Sequence, residues 1–313
     1  MLCLGIESSC DETALAVVRD GVLLDAVLTS QADIHALFGG VVPELASREH
    51  YRYLGTLFDQ LMQRLDLRPS DLDVVAVSRG PGLLGSLLVG VAFAKALALG
   101  CGARFLGVNH LHAHLLAAGL ENELRFPALG LLVSGGHTHI YRMESPSRCI
   151  VLGKTLDDAA GEAFDKVGKI LGLAYPGGKL MDALARQSPG GVYTLPHAHV
   201  DGAELDMSFS GLKTAVVNLA HHAQQVGESL DRAALARDFA QAVSDTLVPR
   251  VMEAAKQSGR TVIVAAGGVA ANSVIRADLE RACEKAGCRL YLPPLRWCGD
   301  NGAMIGAQGY YEY

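Results

Sequence analysis

The segment Val108 to Ala117, VNHLHAHLLA, places imidazoles at positions 110, 112 and 114. On a helix, residues four apart share a face, so His110 and His114 point together while His112 points almost oppositely. An HxxxH pair of this kind can hold a divalent cation, although surface and core histidines share the spacing. A helical zinc peptidase would need HExxH, with the glutamate as general base. Position 111 is leucine and the segment contains no carboxylate, so that chemistry lacks its base. Near the other end of the chain, WCGDNGAMIGA offers Asp300 in a turn before an apolar helix. Asp300 there could be a helix N-cap or a third, oxygen ligand. A His/His/Asp set with open positions suits Fe²⁺ or Zn²⁺ and leaves room for a substrate phosphate or carbonyl.

These residues need elements to hold them. From His110 the segment predicts a helix, with Asn109 as N-cap and Gly119 as stop. Upstream, LCLGIESS, TALAVV and VLLDAVLTS read as three strands joined by the turns CDE and RDG, which is a β-meander. About 125 residues later the pattern returns as ALGLLVSGG, HIYRME and CIVLGKTLDD. After each meander come strand and helix alternations: DVVAVSRGPG, an apolar helix from Leu83 and ARFLGVN in the first half, then TVIVAAGG, a helix from about Asn272 to Lys285 and CRLYLPP in the second. The polar stretch Ser188 to Gly211 reads as a long loop or small insertion.

The chain has 313 residues, half of them apolar, and a net charge of −6. It can bury a large core and is long enough for two domains. The charge and the lack of any Lys/Arg run argue against non-specific polyanion binding, so an RNA partner would need a second protein to help hold it. Seven scattered cysteines without CxxC spacing predict reduced thiols. The start of the chain lacks a basic signal-peptide region, and the most apolar stretch, Leu83 to Leu99, is broken by glycines and Lys95. The expected location is the cytoplasm.

A duplicated meander with a turn after each first strand resembles the actin, sugar-kinase and heat-shock-ATPase superfamily, in which each half carries a phosphate loop. The candidates are Ser8-Ser9-Cys10-Asp11-Glu12 and Ser134-Gly135-Gly136-His137-Thr138. Glycines let backbone N–H groups converge on an anion, and hydroxyls add donors. The expected fold class is α/β, with two lobes and the active site in their cleft. Residues 1–125 and 295–313 would form the lobe with the metal ligands, and 126–294 the other.

Taken together, IESSCDETALAVV, GGVVPELASREH, GPGLLGSLLVG, NHLHAHLLA, LVSGGHTHI, GEAFDKVGKILGLAYPGG, FSGLKTAV, GGVAANS and DNGAMIG resemble the tRNA adenosine threonylcarbamoyltransferase family, once labelled O-sialoglycoprotein endopeptidases. The resemblance covers nearly the whole chain. It implies transfer of L-threonylcarbamoyl from threonylcarbamoyl-adenylate to the exocyclic amine of the adenosine 3′ of the anticodon, releasing AMP, in tRNAs reading codons that begin with A. By motif it implies His110, His114 and Asp300 as ligands of one divalent metal, Fe²⁺ before Zn²⁺. It also implies Leu132, Val133, Ser134, Gly135 and Gly136 as the segment meeting the phosphate and acyl portion. Asp165, Gly178, Asp182 and Asn272 match positions that hold the adenylate's sugar and base. The residue types suit those roles, because carboxylates bind ribose hydroxyls, glycine admits a flat base, and asparagine bonds a base or sugar edge. The nucleophilic amine must also lose a proton, and Asp11 and Glu12 on the first loop are the candidates to orient substrate or accept it.

Beyond tRNA and the adenylate, the resemblance implies protein partners: a metal-free paralogue meeting the helix after GPGLLGSLLVG, and in bacteria an ATPase subunit. A buried helix of the first domain is the ordinary alternative for that segment. Lys179 stands where the family carries proline after YPGG, Gly299 where it carries a hydroxyl residue before DN, and His112 and His139 where it varies. Rival readings are a small-molecule kinase of the same superfold, which would not need the His/His/Asp set, a metalloprotease, and a catalytically silent assembly subunit.

Overall fold

The computed structural model describes residues 1–196, 200 and 203–313. In chain order the strands are β1 (Leu2–Glu7), β2 (Glu12–Arg19), β3 (Val22–Ser30), β4 (Val74–Gly80), β5 (Arg104–Asn109), β6 (Ala128–Val133), β7 (Thr138–Ser145), β8 (Arg148–Lys154), β9 (Val262–Ala266) and β10 (Arg289–Tyr291). The α-helices are α1 (Ala32–Ala36), α2 (Pro43–Leu65), α3 (Leu84–Cys101), α4 (His110–Leu116), α5 (Ala160–Ile170), α6 (Gly177–Ala185), α7 (Ser210–Val226), α8 (Arg232–Ser258), α9 (Ser273–Ala286) and α10 (Gly302–Glu312). They form two compact units, one of residues 1–124, 145–148 and 293–313, the other of residues 125–144 and 149–292.

The first unit is built on a sheet of order β3-β2-β1-β4-β5. β1 and β2 are antiparallel, as are β2 and β3, whereas β1, β4 and β5 run parallel. Successive side chains of a strand face opposite sides, and the packing follows that rule. Leu4, Ile6, Val75 and Val77 join Leu54, Leu61 and Ala94 of α2 and α3 on one face. Cys3, Val74, Ala76 and Val108 join Ala113, Met304 and Ile305 of α4 and α10 on the other. α10 lies very close to the sheet because both surfaces are bare: a Cβ on Gly5 would sit 2.2 Å from the Gly306 nitrogen.

The second unit repeats the topology. Its sheet has the order β10-β9-β6-β7-β8, with β6 antiparallel to β7 and parallel to β9, and β9 parallel to β10. β6 is buried along its whole length, as expected of a central strand covered on both faces. Leu129, Leu131, Val133 and Ile140 pack with Phe164, Phe209, Phe239 and Leu279 in one large core.

Two sequence expectations are sharpened. The apolar helix expected from Leu83 is α3, and despite its glycines and Lys95 its 18 residues are long and apolar enough by length and composition to cross a membrane. Its buried face is made of small residues, Ser86, Gly90, Ala94 and Ala98, with Leu87, while Leu84, Leu88 and Leu99 are 74%, 59% and 87% exposed. The Ser188 to Gly211 stretch is tied down at its end. Met207 bridges to Thr155, Asp157 accepts from the Phe209 nitrogen at 2.8 Å, and α7 has begun by Ser210. Residues 197–199, 201 and 202 of that stretch lie outside the described ones.

Candidate metal centre and adenylate residues

Because β1, β4 and β5 are parallel, their carboxyl ends gather at one edge of the first sheet, where open α/β sheets place their ligands. β5 ends at Asn109, whose side chain accepts from the Leu111 and His112 nitrogens at 2.9 and 3.2 Å. That cap starts α4 without an intervening loop, so His110 and His114 occupy consecutive turns with ring centroids 4.7 Å apart. The opposing side comes from α10, which is capped by Asn301, its Oδ1 accepting from the Met304 nitrogen at 2.9 Å. Asp300 is thereby left to face the histidines: its Oδ1 lies 3.0 Å from His114 Nε2 and 3.7 Å from His110 Nε2. One ligand atom from each of the three residues falls within 4.8 Å of the others. His112 sits on the other side of α4, within electrostatic reach of Glu312 and Arg79.

The electrostatics fit a cation. Burial opposes charge on His110, but the carboxylates of Glu7 and Asp300 outweigh it and pull the imidazole up to about 9. Glu12 is pushed up to about 9 by burial and then by Asp300 and Asp11. Burial, reinforced by Asp11 and Asp300, likewise drives the Cys10 thiol upward. Several acidic groups thus compete for protons, a surplus that a divalent cation would relieve. The donor set of two imidazoles and a carboxylate also fits Fe²⁺ or Zn²⁺. Asp11 is 9% exposed and its charge helps to raise Glu12, so the two carboxyls act on each other electrostatically beside the histidines and Asp300. Their loop is pinned from α2 by His50, whose Nε2–H donates to the Cys10 carbonyl at 2.8 Å while Nδ1 meets Thr13 Oγ1 at 2.7 Å.

The residues expected to hold an adenylate lie in the second unit. Leu132 and Val133 are wholly buried in β6, so this pair can offer a ligand only backbone atoms. Ser134 closes the turn after β6, its nitrogen donating to the His137 carbonyl at 2.8 Å, and Gly135 and Gly136 are exposed with open space where a side chain would be. The turn rests on α5 at Gly161, where a Cβ would sit 2.6 Å from the Ser134 carbonyl oxygen. Asp165 accepts from the Gly177 nitrogen at 2.8 Å and so joins α5 to the start of α6. Asp182 Oδ1 accepts from the nitrogen and hydroxyl of Ser273 at 2.8 and 2.6 Å, joining α6 to the start of α9. Gly178 faces open space. Asn272 caps α9 through Oδ1, which accepts from Val274 and Ile275 nitrogens, so only its amide NH₂ is left for a ligand. Asp165, Gly178, Asp182 and Asn272 are therefore set around the meeting of α5, α6 and α9. Lys179, the departure beside Gly178, is exposed. Gly299 has open space around it, and its carbonyl accepts from Asn301 Nδ2 at 2.8 Å.

Sequence reasoning missed Glu7, His50 and Gly161. A signal existed for Glu7, the one charged residue in an otherwise apolar strand, since carboxylates are almost never fully buried without a partner. Gly161 carries no such signal, because its need arises from a turn 26 positions earlier in the chain.

Comparison with known proteins gives consistent matches. The family model described as tRNA N6-adenosine threonylcarbamoyltransferase matches residues 22–307. A protein of that name from Desulfovibrio desulfuricans is 58% identical over 331 residues, covering 100% of this chain and 92% of its own length. One from Moorella thermoacetica is 48% identical over 312 residues, covering 99% and 91%. Among solved structures, HypF of T. kodakarensis superposes with a TM-score of 0.63 at 15% identity, covering 99% of this chain and 47% of that one. Component A of (R)-2-hydroxyglutaryl-CoA dehydratase from Acidaminococcus fermentans gives 0.57 at 14%, covering 100% and 98%. The structural likenesses speak for the α/β fold alone. The sequence matches go further: the chain belongs to the tRNA N6-adenosine threonylcarbamoyltransferase family.

Proposed function

We propose that this chain transfers the L-threonylcarbamoyl group from threonylcarbamoyl-adenylate to the N6 amine of the adenosine 3′ of the anticodon, in tRNAs reading codons that begin with A. The observation that carries this reading is the His110, His114 and Asp300 group, assembled from positions 186 residues apart in a chain of this family. The amine forms a bond to the carbamoyl carbon, the bond from that carbon to the phosphate oxygen breaks, AMP leaves, and the amine loses a proton. His110, His114 and Asp300 hold one divalent ion, Fe²⁺ in preference to Zn²⁺, which when bound supplies Lewis-acid polarisation of the substrate's phosphate or acyl oxygen.

The remaining work falls to the chain's own residues. The first unit carries the metal ligands and the second binds the adenylate. In the turn that follows Leu132 and Val133, Gly135 and Gly136 present backbone donors to the phosphate and acyl portion, and Ser134, whose nitrogen donates to the His137 carbonyl, fixes the turn. Asp165, Asp182 and Asn272 hold the sugar and base, and the open space at Gly178 takes the flat face of the base. Of Asp11 and Glu12, one orients the substrate or accepts the proton of the amine.

Contiguous exposed apolar surface marks interaction sites, and Leu84, Leu88 and Leu99 of α3 fit a heterodimer with a metal-free paralogous subunit. With a net charge of −6, help from that subunit and from an ATPase subunit in holding tRNA is part of the reading. The working compartment is the cytoplasm.

The test is reconstitution with threonylcarbamoyl-adenylate, the partner proteins and unmodified tRNA, followed by nucleoside mass spectrometry. Modified adenosine is expected with the intact chain and not with Asp300→Ala. Its absence with the intact chain would overturn the reading.

A further inference from the structure

We infer that Glu7 is a positioning residue for the metal group: its buried carboxylate fixes His110 so that Nε2 is the nitrogen presented to the ion. The inference rests on the metal reading of this group and deepens it.

Glu7 is the last residue of β1 and is 0% exposed. Its Oε2 lies 2.9 Å from His110 Nδ1, and its Oε1 accepts from the Ser9 nitrogen at 2.5 Å. Ser9 Oγ adds a second polar contact to the same Nδ1 at 3.2 Å. Nδ1 is thus enclosed on its own side of the ring, while Nε2 is the nitrogen that faces Asp300. A carboxylate accepting from Nδ1–H holds an imidazole in the tautomer whose Nε2 lone pair is free, and raises its basicity as a ligand. The partner histidine has no such support: His114 Nδ1 is buried with no hydrogen-bond partner among the described residues. The two imidazoles are therefore unequal. His110 is held by β1 and the first loop, and His114 is held by its helix and Asp300.

A residue that only anchored the turn after β1 would affect stability and leave the histidine's tautomer and the metal affinity alone. The test uses the full chain without tRNA or adenylate and Zn²⁺ alone as probe, with affinity read by chelator competition. Zn²⁺ binding by the intact chain, lost in His114→Ala, is expected. Glu7→Gln, which removes the charge at nearly constant shape, is expected to weaken binding about 10- to 100-fold. Intact binding in Glu7→Gln overturns the inference and leaves the metal reading standing, whereas no binding by the unmodified chain overturns the metal reading itself. Nitrogen NMR of the zinc-loaded unmodified chain gives a second measurement that needs no variant to fold. A proton on His110 Nδ1 with zinc on Nε2 supports the assignment, and zinc on Nδ1 overturns it.

Discussion

Asp300 and Asn301 are neighbours with divided roles. Asn301 Oδ1 caps α10 by accepting from the Met304 nitrogen at 2.9 Å, and Asp300 Oδ1 faces His114 Nε2 at 3.0 Å. The helix is begun by one residue so that the carboxylate of the other stays out of it. Asn301→Ala should therefore cost about 1 kcal/mol of stability through the lost cap and weaken metal binding only indirectly. Asp300→Ala should abolish metal binding while changing the stability of the metal-free chain little, since relief of its repulsion with Glu12 is offset by loss of its contacts with His110 and His114. Thermal melting in chelator, with and without added Zn²⁺, separates the two. A large loss of metal-free stability in Asp300→Ala would contradict the division.

Stability should fall on the acid side through His50. Burial is the main cause holding its pKa below the ordinary value of 6.5. The unfolded chain then binds the proton more readily than the folded one. The contribution is fully present above the unfolded value and is lost as pH falls from there through the lower folded one. Protonating Nδ1 would also remove the acceptor that meets Thr13 Oγ1 at 2.7 Å. His50→Gln should flatten the melting temperature against pH below about 6.5. A slope unchanged by the substitution would assign the acid sensitivity to another group.

Much of this arrangement was legible in the chain itself. The duplicated meanders, Asn109 as a cap and the pairing of His110 with His114 all follow from local periodicity and capping chemistry, which act over a few residues. The Asp300 contact was indicated by residue type and motif, but its cause, the cap at Asn301, depends on which of two adjacent polar residues enters the helix. Glu7, His50 and Gly161 owe their roles to elements distant in sequence: β1 beside α4, α2 beside the first loop, and α5 beneath the turn after β6. Periodicity carries no information about such meetings. The outward leucines of α3 were hidden for a related reason, because a helix with apolar residues on every side does not announce which face is inside.

Two glycines in the second unit separate support of the turn after β6 from the proposed contact with nucleotide. At Gly161 a Cβ would lie 2.6 Å from the Ser134 carbonyl oxygen and 2.7 Å from Gly135 Cα. Gly161→Ala should displace the turn, at a cost of about 1–3 kcal/mol. A Cβ at Gly178 would point into open space, and the residue lies in the first turn of α6. Gly178→Ala should thus keep or slightly raise the melting temperature, alanine being the better helix former by up to about 1 kcal/mol. If the base packs there, the same substitution should weaken adenylate binding measured by calorimetry. Unchanged affinity would remove Gly178 from the binding surface.

The exposed side of α3 makes the last prediction. Its buried face of Ser86, Gly90, Ala94 and Ala98 lets the helix lie close on its unit, so the large outward leucines contribute little to that unit's own core. Leu84→Ser with Leu88→Ser should leave the melting temperature nearly unchanged, since substitutions on exposed surface are usually within about 0.5 kcal/mol each. If α3 is the partner face, the same double substitution should abolish co-purification with the paralogous subunit and suppress tRNA modification in the reconstituted reaction. Zn²⁺ affinity should remain that of the unmodified chain, because neither leucine belongs to the metal group. A complex that forms normally with the doubly substituted chain would move the interface elsewhere, and a large fall in melting temperature would show that the leucines serve the fold.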